Sequence, residues 1–261
     1  GISKGCADLT NKLYKKITKT VPVSSVECAE AVKLLENSSR MVGIALIQEF
    51  TQYASKIGLD IWEICEGANT KPYGILPLYP SAGVGGHCIG VDSSALAWSA
   101  RQENFTLGLV EKALAVHNSV PFHIVGLIET ALDTTQLRRL AGAKVLLLGA
   151  SYKPNVADSR ESACRDIWKL LEDKRATVQY YDPLIRSMFL TKDREEHSIS
   201  LTEENIKEAD CVVICQPFSD TDLYTNLFIE ANAIVDCCNI YKKNVKFYFP
   251  KDKSKRKVFS I

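Results

Sequence analysis

The sequence predicts an α/β protein in two parts: a helical region over residues 1–140 and a parallel α/β domain over residues 141–261. Two patterns carry that expectation. Before residue 140, apolar residues such as Val32, Leu35, Ile44 and Ile47 recur at helical spacing. After Ala143, short apolar runs at 144–149, 177–181, 211–215 and 233–236 alternate with helical stretches. Strands alternating with helices are the pattern of a parallel sheet, which needs a crossover between neighbouring strands.

Residues 1–23 read as an entry segment, with Val21-Pro22-Val23 extended. Ser24 and Glu27 form an S-x-x-E capping box, which starts a helix. That helix runs without proline to about Ile57 and stops at Gly58. Gly43 interrupts it at a cost of about 1 kcal/mol, too little to end a helix of this length. A short helix follows over 61–66. Residues 69–92 hold three prolines and five glycines, which predicts a long irregular loop of the kind that usually carries function. Helix returns over 94–101 and 106–140, the latter with a break expected near Pro121.

In the second part, helices are expected at 164–171 and 203–209 between the strands. Ligands of such sheets sit beyond the carboxyl ends of the strands, which points to residues 151–160 and 216–220. The lysine-rich stretch from Lys242, ending in Lys253-Ser-Lys-Arg-Lys257, reads as a solvated tail.

Composition narrows the function. A net charge of +1 gives no reason to expect a nucleic-acid or membrane partner. No apolar run approaches the length of a membrane span, and the first residues lack a signal-peptide pattern. The nine cysteines are odd in number and scattered through apolar surroundings, and no pair has zinc-ligand spacing, so neither a disulfide framework nor a metal site is expected. The setting expected is reducing and cytoplasmic.

Three groups of residues have chemical potential. Gly83-Val-Gly-Gly-His-Cys88-Ile-Gly-Val-Asp92 places a thiol and a carboxylate four residues apart beside a glycine-dense turn. Glycines there let backbone N–H groups approach a ligand, and a thiolate is a nucleophile. A tight turn with a buried cysteine fits the same residues. Lys33 and Asn37 share one face of the long helix and suit an oxyanion. By spacing alone they fit better as a solvent-facing pair beside Glu36 and Arg40. Lys153 and Arg160 flank the loop after the first strand, and the helix opening at 159–162 offers an anion site. A charged surface loop is the alternative, with Asp158 orienting Arg160. The G-x-G-x-x-G dinucleotide fingerprint is missing after any strand.

Taken together these motifs resemble the nucleotide-sugar 6-dehydrogenases, the UDP-glucose/GDP-mannose dehydrogenase family. The resemblance runs through Glu30-Ala-Val-Lys33-Leu-Leu-Glu-Asn37, Thr70-Lys71-Pro72-Tyr73-Gly74, Tyr79-Pro80, the Cys88 turn and Val116-His-Asn118 with Pro121. It continues through Leu148-Gly149-Ala-Ser-Tyr-Lys153, Asp158-Ser-Arg160-Glu161-Ser162 and Tyr181-Asp182-Pro183. The Thr-Lys-Pro-aromatic-Gly stretch points toward the UDP-N-acetylglucosamine branch.

The resemblance implies a helical dimerisation region followed by a Rossmann-like domain that binds the nucleotide sugar, with the NAD-binding domain absent from this chain. It implies a homodimer that oxidises the sugar C6 alcohol to a carboxylate with NAD and a cysteine thioester. Cys88 would be the nucleophile, Lys33 and Asn37 would stabilise the oxyanion, and Asp92 would help activate water. Lys71, Tyr79, Gly85 and Lys153 would contact the UDP-sugar, with Lys71 reaching the substrate of the partner subunit. Arg160 would lie near the cofactor. The chain alone is then expected to be inactive.

Departures favour a competing reading, a diverged module that binds a nucleotide sugar or acts as a dimer scaffold. Gly90 and Ser93 stand where the family has prolines, and Gly43 and Gln48 where it has asparagines. Cys238 occupies the position of a substrate-binding arginine, and losing one charged hydrogen bond weakens affinity about ten- to a hundredfold.

Overall fold

A computed structural model of the protein describes residues 1–74, 76–219, 230–241 and 258–261. Five helices precede the first strand: α1 (Lys4–Tyr14), α2 (Val26–Ile57), α3 (Ile61–Ala68), α4 (Ile89–Gln102) and α5 (Gly108–Gln136). The second part contains β1 (Lys144–Leu148), α6 (Ala163–Asp173), β2 (Thr177–Tyr181), β3 (Ser187–Thr191), β4 (Arg194–His197), α7 (Glu203–Glu208), β5 (Cys211–Ile214), β6 (Ile234–Asp236) and β7 (Val258–Ser260).

The long helix forms as expected, and Gly58 ends it in the left-handed conformation at φ 76°. Its cap is one residue later than the capping box indicates. The Ser25 hydroxyl, not that of Ser24, accepts from the Cys28 N–H. The entry segment also differs, since residues 4–14 are helical, capped by Ser3. Its apolar residues Leu9 and Leu13 share helical spacing but are exposed, and none of its residues is buried.

The irregular loop ends at Cys88, because α4 begins at Ile89 and takes in Asp92 as first-turn residue. Helix α5 runs from Gly108 to Gln136 straight through Pro121. A proline inside a helix costs about 3 kcal/mol through its missing N–H and its ring. Burial offsets that cost: Val120, Ile124, Val125 and Ile128 around it all pack into the core.

Four parallel pairings build a sheet of order β2-β1-β5-β6-β7. Alternation along β1 sends Val145 and Leu147 to one face, against α5 and α6, and Leu146 and Leu148 to the other, beside Ile206 of α7. Helix α5 therefore belongs to both parts. Its Ala113 and Val116 pack on Met41 and Ala45 of α2, and its later turns pack on the sheet.

Cys211, Cys215 and Cys237 are fully buried in the sheet as small hydrophobes, and all nine cysteines are free thiols. The β3–β4 hairpin is an addition to the expected strands; Arg194 on it forms paired hydrogen bonds to Glu172 of α6. The expectation of a solvated tail falls mostly on residues 242–257, outside the described residues. The last four residues depart from it: β7 pairs with β6, and the Ile261 side chain is buried. Among the described residues, no helix is long and apolar enough to cross a membrane, and no cluster of potential ligands could hold a metal ion.

Candidate active site

Cys88 is exposed and stands at the N-cap of α4, with no side-chain cap hydrogen bond. The glycines before it are required by close packing. A Cβ on Gly85 would lie 2.6 Å from the Glu161 carbonyl oxygen and 2.7 Å from the Tyr152 Cβ. Gly86, at φ 79°, would place a Cβ 2.8 Å from the Tyr152 ring. The turn therefore lies directly against the loop that follows β1, and the Gly86 N–H donates to the Arg160 carbonyl at 3.0 Å. Glu161 itself adopts a left-handed φ of 49°, rare for a side-chain-bearing residue and typical of a backbone held by its surroundings.

Asp92 lies one turn into α4, its N–H donating to the Cys88 carbonyl at 2.9 Å. Its carboxylate accepts from the Asn37 amide at 2.6 Å, which ties α4 to α2. Asn37 is only 1% exposed, so this amide has exchanged water for a charged partner. Lys33, one turn earlier, is exposed and donates to Glu36 at 3.1 Å. Arg40 donates to the same carboxylate, which forms the solvent-facing cluster that spacing favours. The shared helix face thus separates into a buried amide and a solvated ammonium.

The loop after β1 is held from behind. The Asp182 carboxylate accepts from Ala150 and Ser151 N–H with one oxygen, and from Leu184 and Ile185 N–H with the other. Gln216 Nε2 donates to the Tyr152 carbonyl, so two strand ends meet as the topology requires. Asp220 lies outside the described residues.

Arg160 is exposed and chelated by Asp158, with Nε and Nη2 donating to its carboxylate at 2.7–3.1 Å. That pairing raises the guanidinium above its ordinary value, with smaller contributions from Tyr152 and Cys88. The same contact holds the Asp158 carboxyl below the usual carboxylate range. Lys153 is exposed on this loop and Lys71 is exposed before the prolines of the long loop. Tyr79 is stacked on Trp62 of α3, ring centroids 5.9 Å apart, which places its ring away from free solution on one face.

Three residues enter that sequence reasoning did not give a role. Tyr152 and Glu161 back the glycines, and His117 of α5 accepts from the Val84 N–H at its Nδ1 (3.4 Å). The motif around His117 offered a signal, but a left-handed Glu161 has none in sequence. A cleft of about 870 Å³ lies on the His117 side of the turn, between α4, α5 and the start of α6. Trp98 and Phe122 line it, whereas Cys88 and Arg160 lie outside its lining.

Fold and site together define a mixed α/β protein in which a helical region sets a cysteine turn against the loop at the carboxyl end of a parallel strand. Residues 27–119 match the central domain, and residues 146–243 the UDP binding domain, of the UDP-glucose/GDP-mannose dehydrogenase family. The chain belongs to that family. It is 29% identical to a UDP-N-acetyl-D-mannosamine dehydrogenase of Methanococcus maripaludis, over 95% of this chain and 53% of the relative. It is 30% identical to a UDP-N-acetyl-D-glucosamine 6-dehydrogenase of Pseudomonas aeruginosa, over 71% of this chain and 44% of the relative. The chain thus spans about half the length of the curated relatives it matches. Among solved structures, a UDP-D-ManNAc dehydrogenase of Pyrococcus horikoshii superposes with a TM-score of 0.81 at 27% identity. That superposition covers 100% of this chain and 58% of the other.

Proposed function

We propose that this chain supplies the cysteine and the sugar-binding surface of an NAD-dependent UDP-N-acetylhexosamine 6-dehydrogenase. Residues 1–140 would be its central helical domain and residues 141–261 its nucleotide-sugar domain. One observation carries the reading: the exposed Cys88 sits at a helix start, with the Asn37–Asp92 pair one turn away and the Arg160 loop against its glycines.

In this reading Cys88 Sγ adds to the C6 aldehyde carbon, and the carbonyl oxygen takes the negative charge. Asn37 and Lys33 are the residues proposed to face that oxygen, and Lys33 must leave Glu36 to do so. The adduct would become a thioester by giving up its C6 hydride to NAD, the oxidant proposed for the whole protein, and Asp92 then accepts a proton from the attacking water. The carbon–sulfur bond then breaks and Cys88 leaves as thiolate. Lys71, Tyr79, Gly85 and Lys153 are proposed to contact the UDP-sugar, with Arg160 toward the cofactor side.

The missing G-x-G-x-x-G fingerprint supports a reading in which this chain is not the main NAD cradle. Gly149 ends β1 without a companion glycine, and its φ of 89° serves close packing on Gln216, whose backbone a Cβ would meet at 2.6 Å. NAD is therefore proposed as the oxidant of the whole protein, held mainly outside residues 1–261, where the groups that guide hydride transfer would also lie.

A homodimer is proposed through α2, where exposed Leu46, Phe50, Tyr53 and Ile57 follow a 4-3-4 helical spacing.

A second reading, a nucleotide-sugar-binding or scaffold module without turnover, is favoured by Cys238. Its thiol lies on the Ile214 and Cys215 carbonyls at 3.6 and 3.5 Å, where an arginine would have reached toward ligand. The test is calorimetry and NAD reduction by the full-length protein with UDP-N-acetylglucosamine, UDP-N-acetylmannosamine and UDP-glucose, before and after Cys238→Arg. Two NADH per acetamido sugar, abolished in Cys88→Ala, supports the enzyme. Binding without NADH, before and after the substitution, supports the module.

A further inference from the structure

We propose that His117 is a positioning residue for Cys88, acting through the Val84 N–H. The segment from Ala82 to Cys88 has no ladder of its own. Apart from the bonds it makes to its immediate chain neighbours Ser81 and Asp92, its backbone is tied, among the described residues, to other parts of the molecule by two hydrogen bonds. One runs from Gly86 N–H to the Arg160 carbonyl, and the other from Val84 N–H to His117 Nδ1. The first anchors the turn to the α/β part and the second to the helical part. Anchors to two different elements hold the turn at two points, and Cys88 follows four residues after Val84.

His117 is well placed for this work. It projects from the middle of α5, where Val116, Val120 and Pro121 are buried, so the ring stands on a rigid support. Its Cε1 would lie 3.6 Å from a Cβ on Gly83, so the ring also packs along the glycine that opens the turn. The bond requires an imidazole whose Nδ1 is unprotonated, hence a neutral ring carrying its proton on Nε2. Burial favours the neutral form, opposed in part by the charge of Asp166. The charged groups around the cleft on this side are Glu161, Asp166 and Lys169, while α4 presents Val91, Ser94, Ala95 and Trp98. Protonation of His117 replaces an acceptor with a donor facing the Val84 N–H and releases that side of the turn.

The inference rests on Cys88 as the reacting thiol for its meaning in catalysis, but not for its test. Amide exchange of Val84 is measured on this chain as it stands, in the wild type, His117→Asn and His117→Leu. Asparagine offers an oxygen near the place of Nδ1 and does not titrate; leucine offers no acceptor. The expected result is loss of Val84 protection by about tenfold in His117→Leu, the size of one net hydrogen bond, with most of it retained in His117→Asn. In the wild type, protection falls on acidification, and in His117→Asn that fall is absent. In the full-length protein, kcat drops in His117→Leu with KM little changed, and His117→Asn restores it.

Equal protection in all three proteins, or equal loss in both variants, overturns the proposal. Should His117→Leu not fold, the pH dependence of exchange in the wild type against His117→Asn decides by itself. An absence of turnover in every protein, with the exchange pattern as expected, instead overturns the enzymatic reading and leaves the positioning role standing.

Discussion

Asn37 Nδ2 donates to Asp92 Oδ2 at 2.6 Å, and this one bond joins the long helix α2 to the first turn of α4, one turn from Cys88. The amide is buried and the carboxylate half-buried, so the pair is held where water screens it poorly. Asn37→Ala is expected to cost about 1.5–3 kcal/mol, the range for a hydrogen bond to a charged group. Asn37→Asp is expected to cost more at neutral pH, because two carboxylates at that distance do not both ionise cheaply, and to recover on acidification. Urea midpoints of the three proteins across pH check both statements.

The glycines of the Cys88 turn separate into those that packing demands and one that it does not. Gly85→Ala forces a Cβ into the Glu161 carbonyl, a backbone atom with nowhere to move, and is expected to destabilise by about 1–3 kcal/mol. Gly90 lies within α4 with nothing within 4 Å of a Cβ. Gly90→Ala is therefore expected to stabilise by about 0.5–1 kcal/mol. Thermal denaturation of the two variants, with opposite signs expected, is the check.

Asp182 gathers four backbone N–H groups, two from the loop after β1 and two from its own turn. Asp182→Ala leaves all four without their acceptor in a buried place. The loss is expected to exceed about 3 kcal/mol and to loosen the loop carrying Arg160. Limited proteolysis near residues 150–160 and a lowered denaturant midpoint would reveal it.

Gln48 is 4% exposed, and both its amide atoms and the Nε2 of His123 are buried around a cavity of about 10 Å³ with no hydrogen-bond partner among the described residues. Gln48→Met keeps the volume and removes the unmet polar atoms, so it is expected to raise stability by about 1 kcal/mol. A lower denaturation midpoint in this variant would contradict that expectation.

Burial holds both His117 and His123 below the ordinary histidine value of 6.5. The unfolded chain binds those protons at higher pH than the folded one. Their contribution is therefore complete above about 6.5 and is lost as pH falls through the folded values. Unfolding free energy measured from neutral to mildly acidic pH is expected to fall, and to fall less in the His117→Asn, His123→Gln double variant.

Much of the fold was legible because its causes are local. Gly58 stops α2 because glycine alone adopts its left-handed geometry cheaply, and the apolar runs of β1, β2, β5 and β6 have no other place than a buried sheet. Where two neighbours are locally equivalent, sequence misjudged: Ser24 and Ser25 are equally able caps by residue type, and the hydroxyl that accepts from Cys28 N–H is that of Ser25. Pro121 gave a true local signal that packing overrode, since the buried faces on either side of it fix α5 as one helix.

The sequence by itself determined the two-part α/β character, the family motifs and the cysteine turn. Each of these follows from residue type and short-range spacing. Tertiary structure alone decided which side chains meet. It divided Lys33 from Asn37, one turning to Glu36 in solvent and the other to Asp92 in the interior, 55 residues away along the chain. It likewise brought His117 to Val84, 33 residues distant, and the Arg160 loop to Gly86. Contacts of that kind depend on how whole elements pack, and no periodicity within a single helix or strand encodes them.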